Sequence, residues 1–117
     1  MTLFKRGDFQ LHSGDLSSWK IDCDALTDED IETLAWMIAD RFMFGSVEGV
    51  PSGGLRLAEA LARWARTGKL LIVDDVLTTG ASMEEQRAGR EAIGVVIFAR
   101  RACPDWVTPV FSTESWE

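Results

Sequence analysis

The spacing of hydrophobic residues along the chain predicts where helices and strands lie. Between Asp28 and Phe42, apolar residues recur at helical spacing, which predicts an amphipathic helix. Thr27 precedes that run as a candidate N-cap, and acidic residues fill the first turn. The segment up to Leu26 is predicted as irregular or short β structure, with residues 12–18 (HSGDLSS) forming a loop.

From residue 43 onward, the pattern switches between short aliphatic runs and helical spacing. The runs LLIV and GVVIFA lack the polar alternation of a half-exposed strand, which indicates strands buried on both faces of a sheet. Pro109 confines the last candidate strand to an edge or an end, because proline donates no ladder hydrogen bond. The predicted order is strand 43–50, helix 55–66, strand 69–73, helix 81–91, strand 94–101 and strand 106–112.

This order predicts the fold class. Strands that alternate with helices favour an α/β fold, here a small three-layer sandwich with a mainly parallel central sheet. The 117 residues contain no internal repeat and no long linker, so we expect one domain over residues 1–117. Within it, residues 1–26 form an N-terminal segment and residues 27–117 form the core.

Composition and charge narrow the function classes. The net charge of -7 argues against a nucleic-acid surface, which needs clustered Lys and Arg. No apolar stretch approaches the ~20 residues that span a bilayer, and the start of the chain lacks the apolar segment of a signal peptide. We therefore expect a cytoplasmic protein with no membrane partner. Two cysteines without CxxC spacing and one histidine, His12, argue against a structural zinc site.

The first candidate ligand-binding residues follow the run LLIV. Asp74 and Asp75 close the predicted buried strand, at the sheet edge where α/β proteins bind ligands. Vicinal hydroxyls of a ribose, or a nearby Mg²⁺ ion, relieve the repulsion between two such carboxylates. The residues TTGAS (78–82) then offer hydroxyls and backbone N–H groups that suit a phosphate. The pattern predicts a receptor for a ribose 5-phosphate group; a strand end with a capping loop and no ligand is the alternative.

An acidic pair after a buried strand also occurs in response-regulator receiver domains, where it holds Mg²⁺. That fold needs a phosphoacceptor aspartate and then a lysine further along the chain. No lysine follows Lys69 here, and the only later aspartate is Asp105, beside Pro104. The receiver interpretation therefore fails.

A second loop, GVPSGG, follows the predicted strand 43–50 and reaches the same sheet edge. Its glycines permit close backbone approach, but it lacks the lysine of a nucleotide-binding Walker loop. Two neighbouring loops that suit one ligand favour a binding loop over a plain turn. Arg56, just inside the next helix, either assists that ligand or is a surface arginine.

The stretch LLIVDDVLTTGAS (70–82) resembles the phosphoribosyl pyrophosphate (PRPP) signature of type I phosphoribosyltransferases. The resemblance implies that Asp74 and Asp75 contact the ribose hydroxyls and carry the catalysis, and that residues 78–82 bind the 5-phosphate. The implied ribose-phosphate site is Asp74, Asp75, Val76, Leu77, Thr78, Thr79, Gly80, Ala81 and Ser82. The loop GVPSGG resembles the family's pyrophosphate loop, which implies pyrophosphate contacts from Val50, Pro51, Ser52, Gly53 and Gly54.

The N-terminal segment FQLHSGDLSSWKID resembles the hood of orotate phosphoribosyltransferases, which helps to hold the base. This implies base contacts from His12, Ser13, Gly14 and Ser18, and from Arg100 or its neighbour Arg101 at the end of a later strand. The subfamily has a lysine where His12 stands and a tyrosine near Trp19. A loop that only covers the core is the alternative interpretation.

The chain is shorter than a typical family member. The family carries a further strand and a flexible loop with a lysine between its two binding loops, whereas residues 55–68 here hold one predicted helix and no lysine. A neighbouring subunit would then have to supply Lys5 or Lys20.

The resemblance implies an enzyme of pyrimidine biosynthesis, a Mg²⁺-dependent homodimer that transfers phosphoribosyl from PRPP to an orotate-like nucleobase. Mg²⁺ would be held mainly through the ligand, with Asp74 and Asp75 as candidate metal contacts. A module that binds PRPP or ribose 5-phosphate without turnover is the alternative, and an interaction protein that keeps only the fold is the third hypothesis.

Overall fold

The computed structural model describes residues 1–11 and 13–113. The chain begins with an antiparallel β-hairpin of strands β1 (Phe4–Gln10) and β2 (Leu16–Ile21). This hairpin forms a two-stranded sheet of its own, separate from the central sheet. Most of its residues are exposed, so it lies on the outside of the molecule.

The core is a four-stranded parallel sheet with the strands side by side in chain order. Its strands are β3 (Ser46–Gly49), β4 (Leu70–Leu77), β5 (Ala92–Ala99) and β6 (Val107–Ser112). The two central strands are buried along most of their length, as their unbroken aliphatic sequences predict. β6 is an edge strand and accommodates Pro109 there.

Three helices cover the sheet: α1 (Asp28–Arg41), α2 (Leu55–Leu61) and α3 (Ala81–Arg87). α1 begins at a capping box, in which the Thr27 hydroxyl accepts from the Asp30 N–H and the Asp30 carboxylate accepts from the Thr27 N–H. One hydrophobic cluster packs α1 and α2 against β4 and β5. A second packs α3 against the same two strands and β6. The predicted α/β three-layer fold with a parallel central sheet is confirmed.

Several predicted boundaries were wrong. β4 does not end at Val73 but continues to Leu77, because β5 pairs with it as far as Leu77 opposite Ala99. Asp74 and Asp75 therefore lie inside β4 and do not close it. β3 pairs with β4 only up to Gly49 opposite Val73. The two acids thus extend past the end of β3, where a loop and not a strand lies beside β4.

Two helices are shorter than predicted. α2 ends at Leu61 and continues only as a 3-10 turn over Ala62–Trp64. α3 ends at Arg87, because Ala88 and Gly89 both adopt the left-handed conformation. The predicted loop 12–18 is also shorter, since β2 already begins at Leu16. No helix in the described part of the chain is long and apolar enough to cross a membrane.

Candidate functional site

A cavity of about 710 Å³ opens where β3 and β4 lead into their loops. One wall comes from the loop after β3, the floor from the acidic part of β4 and the loop after it, and the other wall from the N-terminal hairpin. The residues that line it are Gln10, Leu11, Gly14, Lys20, Ile21, Asp22, Cys23, Asp24, Val50, Pro51, Ser52, Gly53, Asp74, Asp75, Val76, Thr78, Ser82 and Arg100. The cavity thus joins segments that lie far apart in sequence.

The acidic pair forms the floor of this cavity. Asp74 is only 8% exposed, whereas Asp75 is half-buried. The Asp74 carboxylate accepts from the backbone N–H of Asp75 at 2.8 Å, and the Asp75 carboxylate accepts from the N–H of Val76 at 2.7 Å. Each carboxylate is therefore fixed by the backbone of its own strand, and the two acids form a pre-set pair.

Burial raises the pKa of Asp74 well above its ordinary value, and the neighbouring Asp75 raises it further. One proton is therefore retained on Asp74 under conditions in which an exposed aspartate is ionised. A ligand that donates hydrogen bonds or brings positive charge to this pair favours the ionised form and releases that proton.

The loop after β3 packs directly against the acidic pair. A side chain at Gly53 would overlap the Asp75 carboxylate, and one at Gly54 would overlap the backbone oxygen of Val73. The Val50 N–H donates to that same oxygen at 2.9 Å, and the Gly54 N–H donates to the Val50 oxygen at 2.8 Å. The glycines allow the loop backbone to lie against β4, so that it borders the cavity alongside Asp75.

The loop after β4 leads through Thr78 into α3. The Thr79 hydroxyl accepts from the Ala81 N–H at 3.3 Å, and Gly80 adopts a left-handed conformation with φ 88°. Thr78 and Ser82, which both carry hydroxyl groups, border the cavity. Hydroxyls in a tight turn of this kind suit an anionic oxygen group.

Arg100 connects the core to the hairpin. Its guanidinium lies 3.6 Å from the centroid of the Trp19 ring and donates to the Trp19 oxygen at 3.0 Å and to the Ser17 hydroxyl at 2.8 Å. Burial, followed by the neighbouring charge of Arg101, lowers the pKa of Arg100. Arg101 instead forms an exposed ion pair with Asp15. Both arginines thus hold the hairpin, and only Arg100 borders the cavity.

The end of the hairpin brings further charge and a thiol to the cavity. Asp22 accepts from the Lys5 ammonium at 2.7 Å, and this hydrogen bond lowers the pKa of Asp22. Burial raises the pKa of the Cys23 thiol to about 12, and the surrounding aspartates, Asp75 first among them, reinforce the shift. A thiol that stays protonated is a poor nucleophile, so Cys23 contributes packing to this wall.

The structure brings together most of the residues that the two loop motifs predict. Of the ribose-phosphate set, Asp74, Asp75, Val76, Thr78 and Ser82 line the cavity. Leu77 and Gly80 are buried, and neither Thr79 in the loop nor Ala81 at the start of α3 lines the cavity. Of the pyrophosphate set, Val50, Pro51, Ser52 and Gly53 line it, and Gly54 is buried beneath them.

The base-binding set is only partly gathered. Gly14 and Arg100 line the cavity, whereas Ser13 and Ser18 do not. His12 lies outside the described residues. Arg56 also stays away, because its guanidinium donates to the Leu26 oxygen at 2.9 Å and to the Asp28 carboxylate at 3.3 Å. It ties α2 to the start of α1.

Sequence reasoning missed most of the hairpin wall. Residues 22–24 (DCD) and Lys20 reach the cavity from the end of β2. Lys20 and Asp22 lie within the segment that resembles the hood, but Lys20 is predicted only as a lysine for a neighbouring subunit, and neither residue is predicted to line this chain's own cavity. Cys23 and Asp24 lie beyond that segment, and only the packing of the hairpin onto the core brings them near Asp75.

The acidic pair fits a magnesium ion that arrives with a phosphorylated ligand. Among the residues that the structure describes, no group of three or more His, Cys, Asp or Glu is arranged to hold a metal by itself. Mg²⁺ characteristically uses one or two carboxylates together with substrate phosphates and water. Asp74 and Asp75 supply that number of carboxylates.

Solved structures of similar shape are orotate phosphoribosyltransferases and a related synthase. The orotate phosphoribosyltransferase from Aeropyrum pernix matches with a TM-score of 0.75 and 24% identity, over 94% of this chain and 88% of that one. The chain has the fold of these enzymes. The enzyme of the same name from Francisella tularensis matches with a TM-score of 0.65 and 19% identity, over 97% of this chain and 82% of that one.

UMP synthase from Leishmania donovani matches with a TM-score of 0.69 and 19% identity, over 95% of this chain but 34% of that one. This chain therefore corresponds to one part of that longer protein. No protein-family model and no curated protein matches the sequence. The predicted resemblance to orotate phosphoribosyltransferases is confirmed at the level of the fold.

Proposed function

We propose that this protein binds the ribose 5-phosphate group of PRPP together with Mg²⁺ and transfers the phosphoribosyl group to an orotate-like nucleobase. One observation carries the proposal: the glycine loop, the acidic pair and the hydroxyl loop border a single cavity. The phosphoribosyltransferase-like fold supports the same reaction class.

The residues have distinct roles in this proposal. Asp74 and Asp75 accept hydrogen bonds from the ribose hydroxyls, and Thr78 and Ser82 donate to the 5-phosphate. In the transfer, the bond from C1 to the pyrophosphate oxygen breaks and its electron pair leaves with the pyrophosphate. A base nitrogen then bonds to C1, and its proton passes to the departing pyrophosphate. The carboxylates lie where they stabilise the positive charge that develops on the ribose.

Mg²⁺ would supply positive charge to the pyrophosphate oxygens, and Asp74 and Asp75 are the residues that would hold it, through the ligand. The same pair thus serves the sugar and the ion. Homodimerisation and a cytoplasmic location stay predictions, and sedimentation of the purified protein tests the first.

A second candidate function is ligand binding without turnover. Between the two binding loops, the chain forms only α2, the 3-10 turn and a short connection to β4. The one lysine there, Lys69, pairs with Glu91 near the start of β4, at the opposite end of that strand from the acidic pair. No segment of residues 55–69 extends over the cavity as a lid that excludes water, and this favours a binding or sensing module.

Calorimetry with Mg²⁺ and PRPP tests the binding proposal. We expect Asp75→Asn to weaken the affinity at least ~10-fold, since one carboxylate partner of the diol loses its charge. The matched control is Asp24→Asn, which removes the same charge from the hairpin side of the same cavity and should leave the affinity within about 3-fold. Equal affinity of Asp75→Asn and the wild type, with both folded by circular dichroism, would refute the assignment.

Release of pyrophosphate in the presence of orotate separates the two candidates. Transfer predicts release that depends on both PRPP and the base. Binding with no release under the same conditions would overturn the transferase proposal and leave the binding module.

A further inference from the structure

The charged side chains that line the cavity differ in whether they already have hydrogen-bond or ion-pair partners within the protein. Among the residues that the structure describes, four aspartates border it, Asp22, Asp24, Asp74 and Asp75, against two cations, Lys20 and Arg100. An anionic ligand entering such a cavity meets net repulsion unless a cation is available to it. The contacts that each cation already makes within the protein therefore decide which of the two can bind the ligand.

Arg100 is already occupied. Two of its guanidinium nitrogens donate to the hairpin, to the Trp19 oxygen and the Ser17 hydroxyl, and its flat face stacks on the Trp19 ring. Turning this group toward a ligand breaks the polar contacts that hold the hairpin wall in place.

Lys20 is in a different state. The Asp22 carboxylate, two residues along the strand, is taken by Lys5 at 2.7 Å. Among the described residues, no carboxylate lies within ion-pair distance of the Lys20 ammonium. The ammonium lies over the face of the Phe9 ring, 4.9 Å from the centroid, and its charge acts on Asp22 without forming an ion pair. Such a contact is weaker than a charge-assisted hydrogen bond, so an anionic ligand can displace it.

We propose that Lys20 is a ligand-binding residue that donates to an anionic oxygen group of the ligand from within the same chain. The inference deepens the proposed function, because it assigns a cation to the acidic cavity in which the ribose phosphate would bind. Lys20 stands on β2, beside the wall that a base would face, and shares the cavity with the loop at residues 50–53. The anionic group is therefore either the carboxylate of an acidic base or the pyrophosphate.

Calorimetry with four separate probes tests the assignment: orotate, uracil, Mg²⁺-pyrophosphate and ribose 5-phosphate. The variants are Lys20→Met, Lys20→Arg and the control Lys69→Met. The control makes the same charge change just before the start of β4, away from the cavity. We expect Lys20→Met to weaken binding at least ~10-fold for orotate or for pyrophosphate, and to change ribose 5-phosphate and uracil by less than about 2-fold. Lys20→Arg should recover much of the loss, because it restores the charge.

The outcomes separate the inference from the function on which it rests. A loss confined to orotate assigns the base carboxylate, and a loss confined to pyrophosphate assigns the leaving group; both support the inference. Ribose 5-phosphate binding in the wild type, with every affinity unchanged in Lys20→Met, overturns the inference and leaves the proposed function intact. An equal loss of affinity in Lys69→Met for the same probes would show that the effect comes from net charge alone. That result overturns the inference as well.

Two further results would count against the proposed function. Binding of orotate or pyrophosphate that depends on Lys20, without any binding of ribose 5-phosphate, supports the inference and overturns the proposed function. A wild-type protein that binds none of the four probes overturns both. Circular dichroism of each variant checks that the protein keeps its secondary structure.

Discussion

The central sheet and the N-terminal hairpin both border the cavity, but they are built differently. β4 carries the acidic pair on a strand whose residues 71–73 are fully buried, between two hydrophobic clusters. The hairpin is mostly exposed and meets the core through the contacts of Arg100 and Arg101 and the edge-to-face pair of Phe4 with Phe98. One side of the site is rigid, and the other is held by a few contacts.

The sheet and the hairpin therefore contribute differently to the site. The sheet fixes the geometry of carboxylates and loops that a sugar phosphate requires, and its packing leaves little room for substitution. The hairpin contributes charged and polar groups whose replacement leaves the core untouched. We therefore expect mutations in the two regions to separate stability from ligand preference.

The largest expected effect tests the rigid side. Ile72→Ala removes a fully buried side chain from β4 and should lower the free energy of unfolding by about 2–5 kcal/mol. Leu16→Ala, in the hairpin at 84% exposure, should change it by less than about 0.5 kcal/mol. Urea denaturation measures both variants. Similar losses of unfolding free energy in the two variants would contradict the difference in packing between the sheet and the hairpin.

An intermediate effect comes from the acidic pair, and its size depends on pH. Burial raises the pKa of Asp74 in the folded protein above its unfolded value of 3.8. Between these two pKa values the folded state binds more protons than the unfolded state, so stability falls as pH rises through that window. Asp74→Asn keeps the group neutral and should raise the free energy of unfolding by about 1–3 kcal/mol at the upper end of the window.

Denaturation curves at several pH values measure this difference. The gain should shrink toward zero below the unfolded pKa, where the wild-type carboxyl is protonated in both states. Asp24→Asn, at an exposed cavity carboxylate, is the matched control for the loss of one acidic group. A constant difference between Asp74→Asn and the wild type at every pH would contradict the burial argument.

The smallest expected effect tests the attachment of the hairpin. Arg100→Met removes two hydrogen bonds and the stacking on Trp19, and should lower the free energy of local opening of the hairpin by about 1 kcal/mol. Arg101→Met removes an exposed ion pair and should cost less than about 0.5 kcal/mol. Amide hydrogen exchange in β1 and β2 measures both, and faster exchange in the core strands as well would indicate general destabilisation.

Features with a local cause could be predicted from the sequence. The capping box and the apolar spacing together define α1, whose observed start at Asp28 is the predicted one. The two loops were recognised because their residue types are fixed at successive positions, and the parallel sheet brings both to one edge.

Features that depend on distant contacts could not be predicted. Asp74 and Asp75 interrupt the apolar run and so looked like the end of β4, but pairing with β5 carries the strand to Leu77. α3 ends early through two left-handed residues, and nothing in the helical pattern signals the first of them, Ala88. The wall at residues 20–24 exists only because the hairpin packs onto the core.

The contact between Gly53 and Asp75 has one more consequence. Because the backbone of one loop lies against the carboxylate of the other strand, a side chain at position 53 would have to displace the acid. Any substitution of Gly53 therefore alters the acidic pair as well as the turn, so that two parts of the cavity change together.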